Sequence, residues 1–225
     1  MSRVGVVVFP GSNCEYDAQS ALSELGARAE LVWHTETDLS GFDHLVLPGG
    51  FAHGDYLRPG AIARFSPVMS ALAEAAGRGV PILGICNGFQ VLTEAGLLPG
   101  ALQKNRGLTF ISEPTTIVVA STRSVLTRAA RVGEELVVPI NHFSGAYTCD
   151  DETHRRLIDG DQVVLRYRDN PNGSRDDIAG VSNAAGNVVG LMPHPERAMS
   201  RLVGSADGRV LLEGFLGSEL SAARG

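Results

Sequence analysis

In the first half of the chain, continuous apolar runs alternate with segments in which apolar residues recur every three to four positions. Residues 4–9 are a run of β-branched and other apolar residues, which predicts a strand. Ala18, Leu22 and Leu25 then recur every three to four positions, which predicts a helix that ends at Gly26. This alternation is typical of a parallel sheet whose two faces are covered by helices.

The same alternation continues to residue 95. Ser66 and Pro67 have the residue types of an N-cap and a first helical position, so we expect a helix to begin there. Residues 80–85 are a short and nearly all-apolar run, as expected of a central strand that is buried on both faces. The other elements predicted in this half are strands over residues 27–33 and 45–47 and a helix over residues 89–95.

The second half contains strand-like runs with turns and few helices between them. We expect these strands to extend and cap the sheet, and we expect a closing helix over residues 207 to about 220. The sequence therefore predicts a single α/β domain over residues 1–225, with a mainly parallel, flavodoxin-like central sheet and additional strands from the second half. Those additional strands are predicted over residues 117–120, 136–140, 163–167, 178–181 and 188–192.

Composition narrows the classes of function. The chain has 225 residues with 44% hydrophobic and 20% charged residues, which allows a sizeable core. A formal net charge of -6 argues against nucleic acid as the main partner, because phosphate binding requires clustered Lys and Arg. No apolar run has membrane-spanning length and no signal peptide is evident, so we expect a cytoplasmic protein without a membrane partner.

The strongest chemical signal is the segment Gly-Ile-Cys-Asn-Gly at residues 84–88. Its form, G-x-C-x-G between a buried strand and a helix, is that of a nucleophile elbow with cysteine in place of serine. Such a turn strains the backbone of the nucleophile and brings residues two positions away into contact, where only glycine fits. Cys86 would lie at a helix N-terminus, whose partial positive charge favours the thiolate.

The same turn would aim the backbone N–H of Asn87 at the developing oxyanion, and Gly50, at the end of a neighbouring strand, could supply the second donor. The alternative is a buried structural cysteine, which is the common role of free cysteines. We prefer that interpretation for Cys14 and Cys149, because neither lies in a glycine-flanked elbow.

A histidine and a carboxylate lie two positions apart in the segment Met-Pro-His-Pro-Glu-Arg at residues 192–197. Its two prolines predict an extended chain, in which His194 and Glu196 point to the same side, so the carboxylate can orient the imidazole. Together with a thiolate they would form an activated-nucleophile triad. The alternative is a surface turn; we predict no metal site, since the segment His-Gly-Asp at residues 53–55 is too isolated for zinc.

With both motifs in view, the chain resembles the class I glutamine amidotransferases, and most closely the small glutaminase subunits of phosphoribosylformylglycinamidine synthases. The elbow and the His-Pro-Glu segment carry the resemblance to the superfamily. The stretches Gly-Asp-Tyr-Leu-Arg and Cys-Asn-Gly-Phe-Gln carry the resemblance to the purine branch. The matching segments cover residues 8–14, 47–51, 54–58, 84–90 and 190–196.

The resemblance implies that Cys86 attacks the side-chain amide of glutamine, that His194 protonates the departing ammonia and then activates water, and that Glu196 orients His194. It also implies that Gln90 and Gly49 bind the substrate. The ammonia would pass to a large synthetase subunit that uses ATP and magnesium in purine (IMP) biosynthesis, and a small bridging subunit is usual. No cofactor is expected in this chain.

One segment departs from the family pattern. Residues 141–147 read Asn-His-Phe-Ser-Gly-Ala-Tyr where the family commonly carries a His-Gly-Glu-Gly-like or Gly-Glu-Gly-like stretch. This departure concerns the substrate-side loop and the docking of the partner, and we expect it to leave the triad untouched. Three alternatives remain at this point: the glutaminase of another amidotransferase pathway, a cysteine-elbow peptidase or stress-protein relative, and a binding module without catalysis.

Overall fold

The elements of the computed structural model follow the predicted alternation, and the structure describes residues 1–217. The strands are β1 Arg3–Val8, β2 Arg28–Trp33, β3 His44–Leu47, β4 Ile82–Ile85, β5 Ala101–Gln103, β6 Ile111–Val119, β7 Glu135–His142, β8 Ala146–Thr148, β9 Val163–Tyr167, β10 Ile178–Ser182 and β11 Val188–Leu191. The α-helices are α1 Glu15–Glu24, α2 Val68–Gly77, α3 Asn87–Glu94, α4 Asp151–Asp159 and α5 Gly208–Leu216. The predicted closing helix is α5, and residues 218–220 of that prediction lie outside the described residues.

Nine strands form one sheet in the order β2-β1-β3-β4-β11-β10-β9-β6-β7. The pairings from β2 to β11 are parallel, and those from β11 to β7 are antiparallel. Strands β3, β4 and β11 are buried at every position, as expected where helices and loops cover both faces of a sheet. The predicted α/β class is confirmed. The second half of the chain extends the parallel strands with antiparallel ones, so that the sheet has four parallel and four antiparallel pairings.

Three elements were not predicted. Strands β5 and β8 form a separate two-stranded antiparallel sheet, and each has only three residues, too few to show a period. Helix α4 buries only Leu157, so it lacks an apolar stripe. Its local signal is instead Asp150, whose side chain accepts the N–H of Thr153 at 2.7 Å as an N-cap.

The predicted N-cap role of Ser66 is wrong. Helix α2 begins one residue later than expected, with Pro67 at the cap position and no side-chain cap. The Ser66 hydroxyl lies instead 3.2 Å from Nδ1 of His34 and 3.4 Å from Nε2 of His53. Tertiary contacts with these two imidazoles therefore decide the orientation of the hydroxyl.

The pairing of β4 with β11 positions the candidate chemistry. These two strands run parallel with Ile85 opposite Leu191 and Gly84 opposite Gly190. A Cβ on Gly190 would meet the ring of Phe89 at 2.0 Å, so this glycine allows α3 to pack directly on the sheet. Because both strands end at the same edge, the segments that follow them leave the sheet side by side. No helix within residues 1–217 combines the length and the apolar character needed to cross a membrane.

Candidate active site

Cys86 occupies a sharp turn between β4 and α3. Its φ of 50° and ψ of -102° are strained angles for a residue with a side chain, and its N–H donates to the Leu191 carbonyl at 2.8 Å. A Cβ on Gly84 would come within 2.8 Å of the Gly88 backbone. One on Gly88 would come within 1.9 Å of the Leu47 carbonyl oxygen. The glycines therefore have the spatial role that the elbow motif predicts.

We expect Gly88→Ala to lower the free energy of unfolding by about 3 kcal/mol or more, because the added methyl has only backbone to displace. Gly77→Ala is the matched control, since a Cβ there meets nothing within 4 Å. Urea denaturation of both variants gives the comparison. Equal midpoints for the two variants would contradict the tight packing described for the elbow.

His194 and Glu196 follow β11 and form a buried pair. The Nδ1 atom of His194 lies 2.6 Å from Oε1 of Glu196, and each side chain is 1% exposed. The backbone N–H of His194 donates to the Pro139 carbonyl at 2.9 Å, which holds this residue against β7. The segment is not extended as predicted: Pro195–Arg197 is one turn of 3₁₀ helix, closed by the Ala198 N–H on the Pro195 carbonyl. The turn still places the carboxylate behind the imidazole.

The thiol of Cys86 lies close enough to the ring of His194 to act on its pKa. Burial acts to lower the pKa of His194, but the charges of Glu196 and Cys86 outweigh it and hold that pKa well above its ordinary value. The Nε2 atom is buried and has no hydrogen-bond partner within residues 1–217, so it is free to exchange a proton. The raised pKa therefore favours a protonated imidazole beside the sulfur of Cys86.

Cys14 lies behind this pair and was not connected with it by the sequence. Its thiol is 2% exposed and accepts a hydrogen bond from Arg197 at 3.2 Å, while Arg197 also pairs with Asp17 at 3.0 Å. Donor atoms of Cys14, His194 and Glu196 all lie within 4.8 Å of one another. The positive charge of the Arg197 guanidinium at the Cys14 thiol disfavours a bound cation. We therefore interpret Cys14 and Glu196 as residues that pack around the His194 imidazole, not as metal ligands. The absence of a metal site stays a prediction.

Gly49 and Gly50 follow β3, and Gly49 packs against His194. A Cβ on Gly49 would meet Cε1 of His194 at 2.7 Å and Sγ of Cys14 at 3.0 Å, so Gly49 is needed for the packing of the imidazole. Gly50 has φ +146°, and no hydrogen bond of the described residues uses its N–H. The N–H of Asn87 opens α3, where no intrahelical acceptor exists. Both N–H groups are therefore available to an oxyanion.

The side chain of Asn87 ties the loop after β3 to the elbow helix. Its Oδ1 accepts the N–H of Ala52 at 3.0 Å, and its Nδ2 donates to Oε1 of Gln90 at 2.8 Å and to Oδ1 of Asp55 at 3.2 Å. Gln90 in turn donates to the Ser144 carbonyl at 2.6 Å. Both polar ends of Gln90 are thus bonded within the protein. The substrate contacts expected of Gln90 and Gly49 stay predictions.

A cavity of about 560 Å³ opens above the thiol, and Cys86, Gln90 and Asp55 all line it. The unusual segment over residues 141–147 contributes one wall. The Asn141 carbonyl accepts a long hydrogen bond from the Cys86 thiol at 3.7 Å, so this segment lies against the thiol. That the departure from the family pattern leaves the triad untouched stays a prediction. Burial lowers the pKa of the neighbouring His142 to about 4, which keeps its imidazole neutral beside Asn105.

Comparison with known proteins decides the family. Residues 1–209 match the model of the CobB/CobQ-like glutamine amidotransferase domain. The chain belongs to this glutamine amidotransferase family. A similar protein is the phosphoribosylformylglycinamidine synthase subunit PurQ of Parasynechococcus marenigrum. It is 56% identical over 214 residues, which cover 95% of this chain and 99% of the relative. The predicted resemblance is confirmed.

Solved structures agree with the amidotransferase fold. The structure of PurLQS from Thermotoga maritima contains a chain that is 44% identical, with a TM-score of 0.89 over 96% of this chain and 99% of that one. A glutamine amidotransferase from Thermotoga maritima is 19% identical with a TM-score of 0.60, over 94% of this chain and 89% of that one, and shows likeness of fold alone.

Proposed function

We propose that this amidotransferase is the glutaminase subunit of a phosphoribosylformylglycinamidine synthase. The observation that carries the proposal is the strained Cys86 at the carboxyl end of β4, beside the buried His194–Glu196 pair at the end of β11. The name of a relative that is 56% identical over 95% of the chain supports the pathway. Residues 1–225 would form one glutaminase domain without a cofactor.

In the first half-reaction the Cys86 thiolate attacks the carboxamide carbon of glutamine, and the carbonyl π electrons move to oxygen. The N–H groups of Gly50 and Asn87 receive this oxyanion. The tetrahedral intermediate then collapses, the C–N bond breaks, and the imidazolium of His194 gives its proton to the departing nitrogen. Ammonia and a γ-glutamyl thioester on Cys86 result.

In the second half-reaction His194, now neutral, takes a proton from a water molecule that attacks the thioester carbon. A second oxyanion forms in the same hole, the C–S bond breaks, and glutamate leaves. The thiolate and the imidazolium are restored together. Glu196 stabilises the imidazolium whenever it forms, since its carboxylate accepts a hydrogen bond from Nδ1–H at 2.6 Å.

The ammonia would be consumed in a complex. We propose a large synthetase subunit that binds ATP and magnesium and forms the amidine of the purine precursor, joined by a small bridging subunit. The structural relative from Thermotoga maritima comes from a structure named PurLQS, which supports an assembly of this kind. The complex would work in the cytoplasm, without nucleic acid or membrane as a partner.

Three measurements test the function. A diazoketone analogue of glutamine is expected to form one adduct, on Cys86, as found by peptide mass mapping. Ammonia release from glutamine is expected to increase when the synthetase subunit from the same organism is added, and ATP-dependent amidine formation is expected only with both chains. Labelling of Cys86 without ammonia release, together with hydrolysis of peptides, would favour the peptidase alternative instead.

A further inference from the structure

Asp55 is a charged group of the cavity that the triad mechanism does not use. It ends a 3₁₀ turn, Ala52–Asp55, in the loop that continues from Gly50, and it lines the same cavity as Cys86. Its side chain is half-buried, and Oδ1 accepts one hydrogen bond, from Nδ2 of Asn87 at 3.2 Å. The carboxyl is thus held at the active site by a neutral amide.

No cation within residues 1–217 forms a salt bridge with Asp55. Arg58, three positions later, instead binds Glu94 through two contacts of 2.5 and 2.7 Å. Burial raises the pKa of Asp55 to about 6, and the hydrogen bond from Asn87 offsets this only in part. Ionised Asp55 is therefore a negative charge that the protein partly desolvates without compensating it.

The backbone around Asp55 is also strained. His53, Asp55 and Leu57 have φ values of 53°, 52° and 69°, in the left-handed region that residues with side chains seldom adopt. Such conformations cost of the order of 1–3 kcal/mol each and concentrate at ligand sites. The bond from the Ala52 N–H to Oδ1 of Asn87 holds the loop in this form, so the placement of the carboxyl is built into the fold.

A second charge lines the same cavity. The Lys104 ammonium lies 5.9 Å from the centre of the Phe143 ring, and no carboxylate of the described residues pairs with it. The cavity therefore presents one carboxyl and one ammonium that have no salt-bridge partner among the described residues, and the proposed nucleophile Cys86 lines the same cavity. These are the charges that complement a zwitterionic amino acid.

We propose that Asp55 binds the α-ammonium group of the substrate and thereby restricts the enzyme to free α-amino acids. This inference rests on the proposed glutaminase function and adds the specificity of the site. A peptide-bound glutamine has no ammonium at this position, and its amide cannot satisfy the charge of Asp55. The partly desolvated carboxylate would reject such a substrate, because it would lose further contact with water without gaining a cation.

Asp55→Asn tests the proposal with two substrates in the assembled complex. The asparagine keeps an oxygen that accepts from Nδ2 of Asn87, so the loop retains its tie while the charge is removed. The substrates are glutamine and glutaramate, which lacks only the α-amino group. We expect the variant to raise KM for glutamine about 10- to 100-fold, the range of a charge-assisted hydrogen bond, and to change kcat/KM for glutaramate less than threefold.

The control is Asp159→Asn, which removes an exposed carboxyl at the end of α4 and is expected to leave both substrates unaffected. An equal loss for glutamine and glutaramate in Asp55→Asn would overturn the proposal, since it would show that Asp55 only supports the loop. An unchanged KM for glutamine would overturn it as well. Failure of the glutaminase function itself is distinguishable, because the wild-type complex would then hydrolyse neither amide.

Thermal stability gives a readout that a supporting role would not produce. The pKa of Asp55 is raised in the folded state, so its charge destabilises the free fold increasingly as the pH rises above its ordinary pKa of 3.8, and fully above about pH 6. We expect Asp55→Asn to raise Tm by a few degrees at pH 8 and by less at pH 5. We also expect glutamine to raise the Tm of wild type more than that of the variant. A lower Tm for Asp55→Asn at pH 8 would contradict the uncompensated charge.

Discussion

Cys86→Ala is expected to lower glutamine hydrolysis by about 10⁴- to 10⁶-fold while the protein remains folded, because the thioester can form on no other described group of the cavity. The substitution removes one buried sulfur that donates only a long hydrogen bond to the Asn141 carbonyl. The fold therefore loses little, and the strain of the positive φ of 50° at this position is unchanged, because alanine keeps the Cβ. Ammonia release from glutamine by the complex measures the loss.

The synthetase reaction separates loss of the nucleophile from loss of the complex. With an ammonium salt in place of glutamine, the Cys86→Ala complex is expected to form the amidine at the wild-type rate, since the proposed function assigns that chemistry to the synthetase subunit. Cys149→Ala is the matched control: burial raises the pKa of this thiol, and its side chain does not line the cavity. Residual glutamine hydrolysis above about 1% in Cys86→Ala would show that the nucleophile is another group.

Glu196→Gln is expected to reduce kcat about 10³- to 10⁴-fold, the effect of removing the carboxylate from a triad while the shape is retained. The side-chain amide introduced at position 196 can donate a hydrogen bond to Nδ1 of His194. This would select the wrong tautomer, in which the ring is neutral and Nε2 carries the proton. Even with the correct tautomer, the imidazolium would lose the carboxylate 2.6 Å away. Single-turnover hydrolysis of glutamine measures the chemical step directly.

The pH dependence of Glu196→Gln has a defined sign. Glu196 raises the pKa of His194, so the substitution lowers that pKa and the protonated ring is lost at lower pH. The alkaline limb of the kcat profile, where the proton donor to ammonia disappears, is expected to move to lower pH. Glu152→Gln, an exposed glutamate at the start of α4, is the control. A limb that stays in place would mean that another group supplies the proton.

The same pair contributes to stability in a window set by the raised pKa. A folded-state pKa above the ordinary 6.5 means that the imidazolium–carboxylate attraction is fully present below pH 6.5 and is lost as the pH rises through the folded pKa. The stability difference between wild type and Glu196→Gln is therefore expected to be largest in mildly acidic buffer. Urea denaturation across this range checks it.

Local patterns in the sequence predicted most of the elements around the site. The runs that became β1, β4 and β11 are apolar at nearly every position, which only central strands tolerate. Strand β5, strand β8 and helix α4 were missed because short strands show no period and a solvated helix has no apolar stripe. Residues 195–197 were expected to be extended, and backbone hydrogen bonds closed them into a 3₁₀ turn instead.

The residues that surround the triad were harder to predict. Asp55 was set aside with His53 as an isolated pair, and the ties from the Asn87 side chain to Ala52, Asp55 and Gln90 left no trace in the sequence spacing. Such contacts join three segments of the chain in one cavity wall. A weak signal was present in the sequence, since Asp55 lies in the same loop as the Gly49–Gly50 pair. Its neighbour Arg58 pairs with Glu94, which only the structure shows.

The sequence by itself determined the elbow and the dyad, because the glycines flanking Cys86 and the spacing of His194 and Glu196 act within a few positions along the backbone. Only the tertiary structure decided that β11 pairs with β4 in a register that sets Leu191 opposite Ile85, and that the segments around Asp55 and Asn141 enclose the thiol. The physical reason is that strand pairing and side-chain packing satisfy apolar surface and hydrogen bonds between distant segments. Judged from the sequence, several strand pairings and packing arrangements would bury this apolar surface and form these hydrogen bonds equally well. The folded protein adopts one of them.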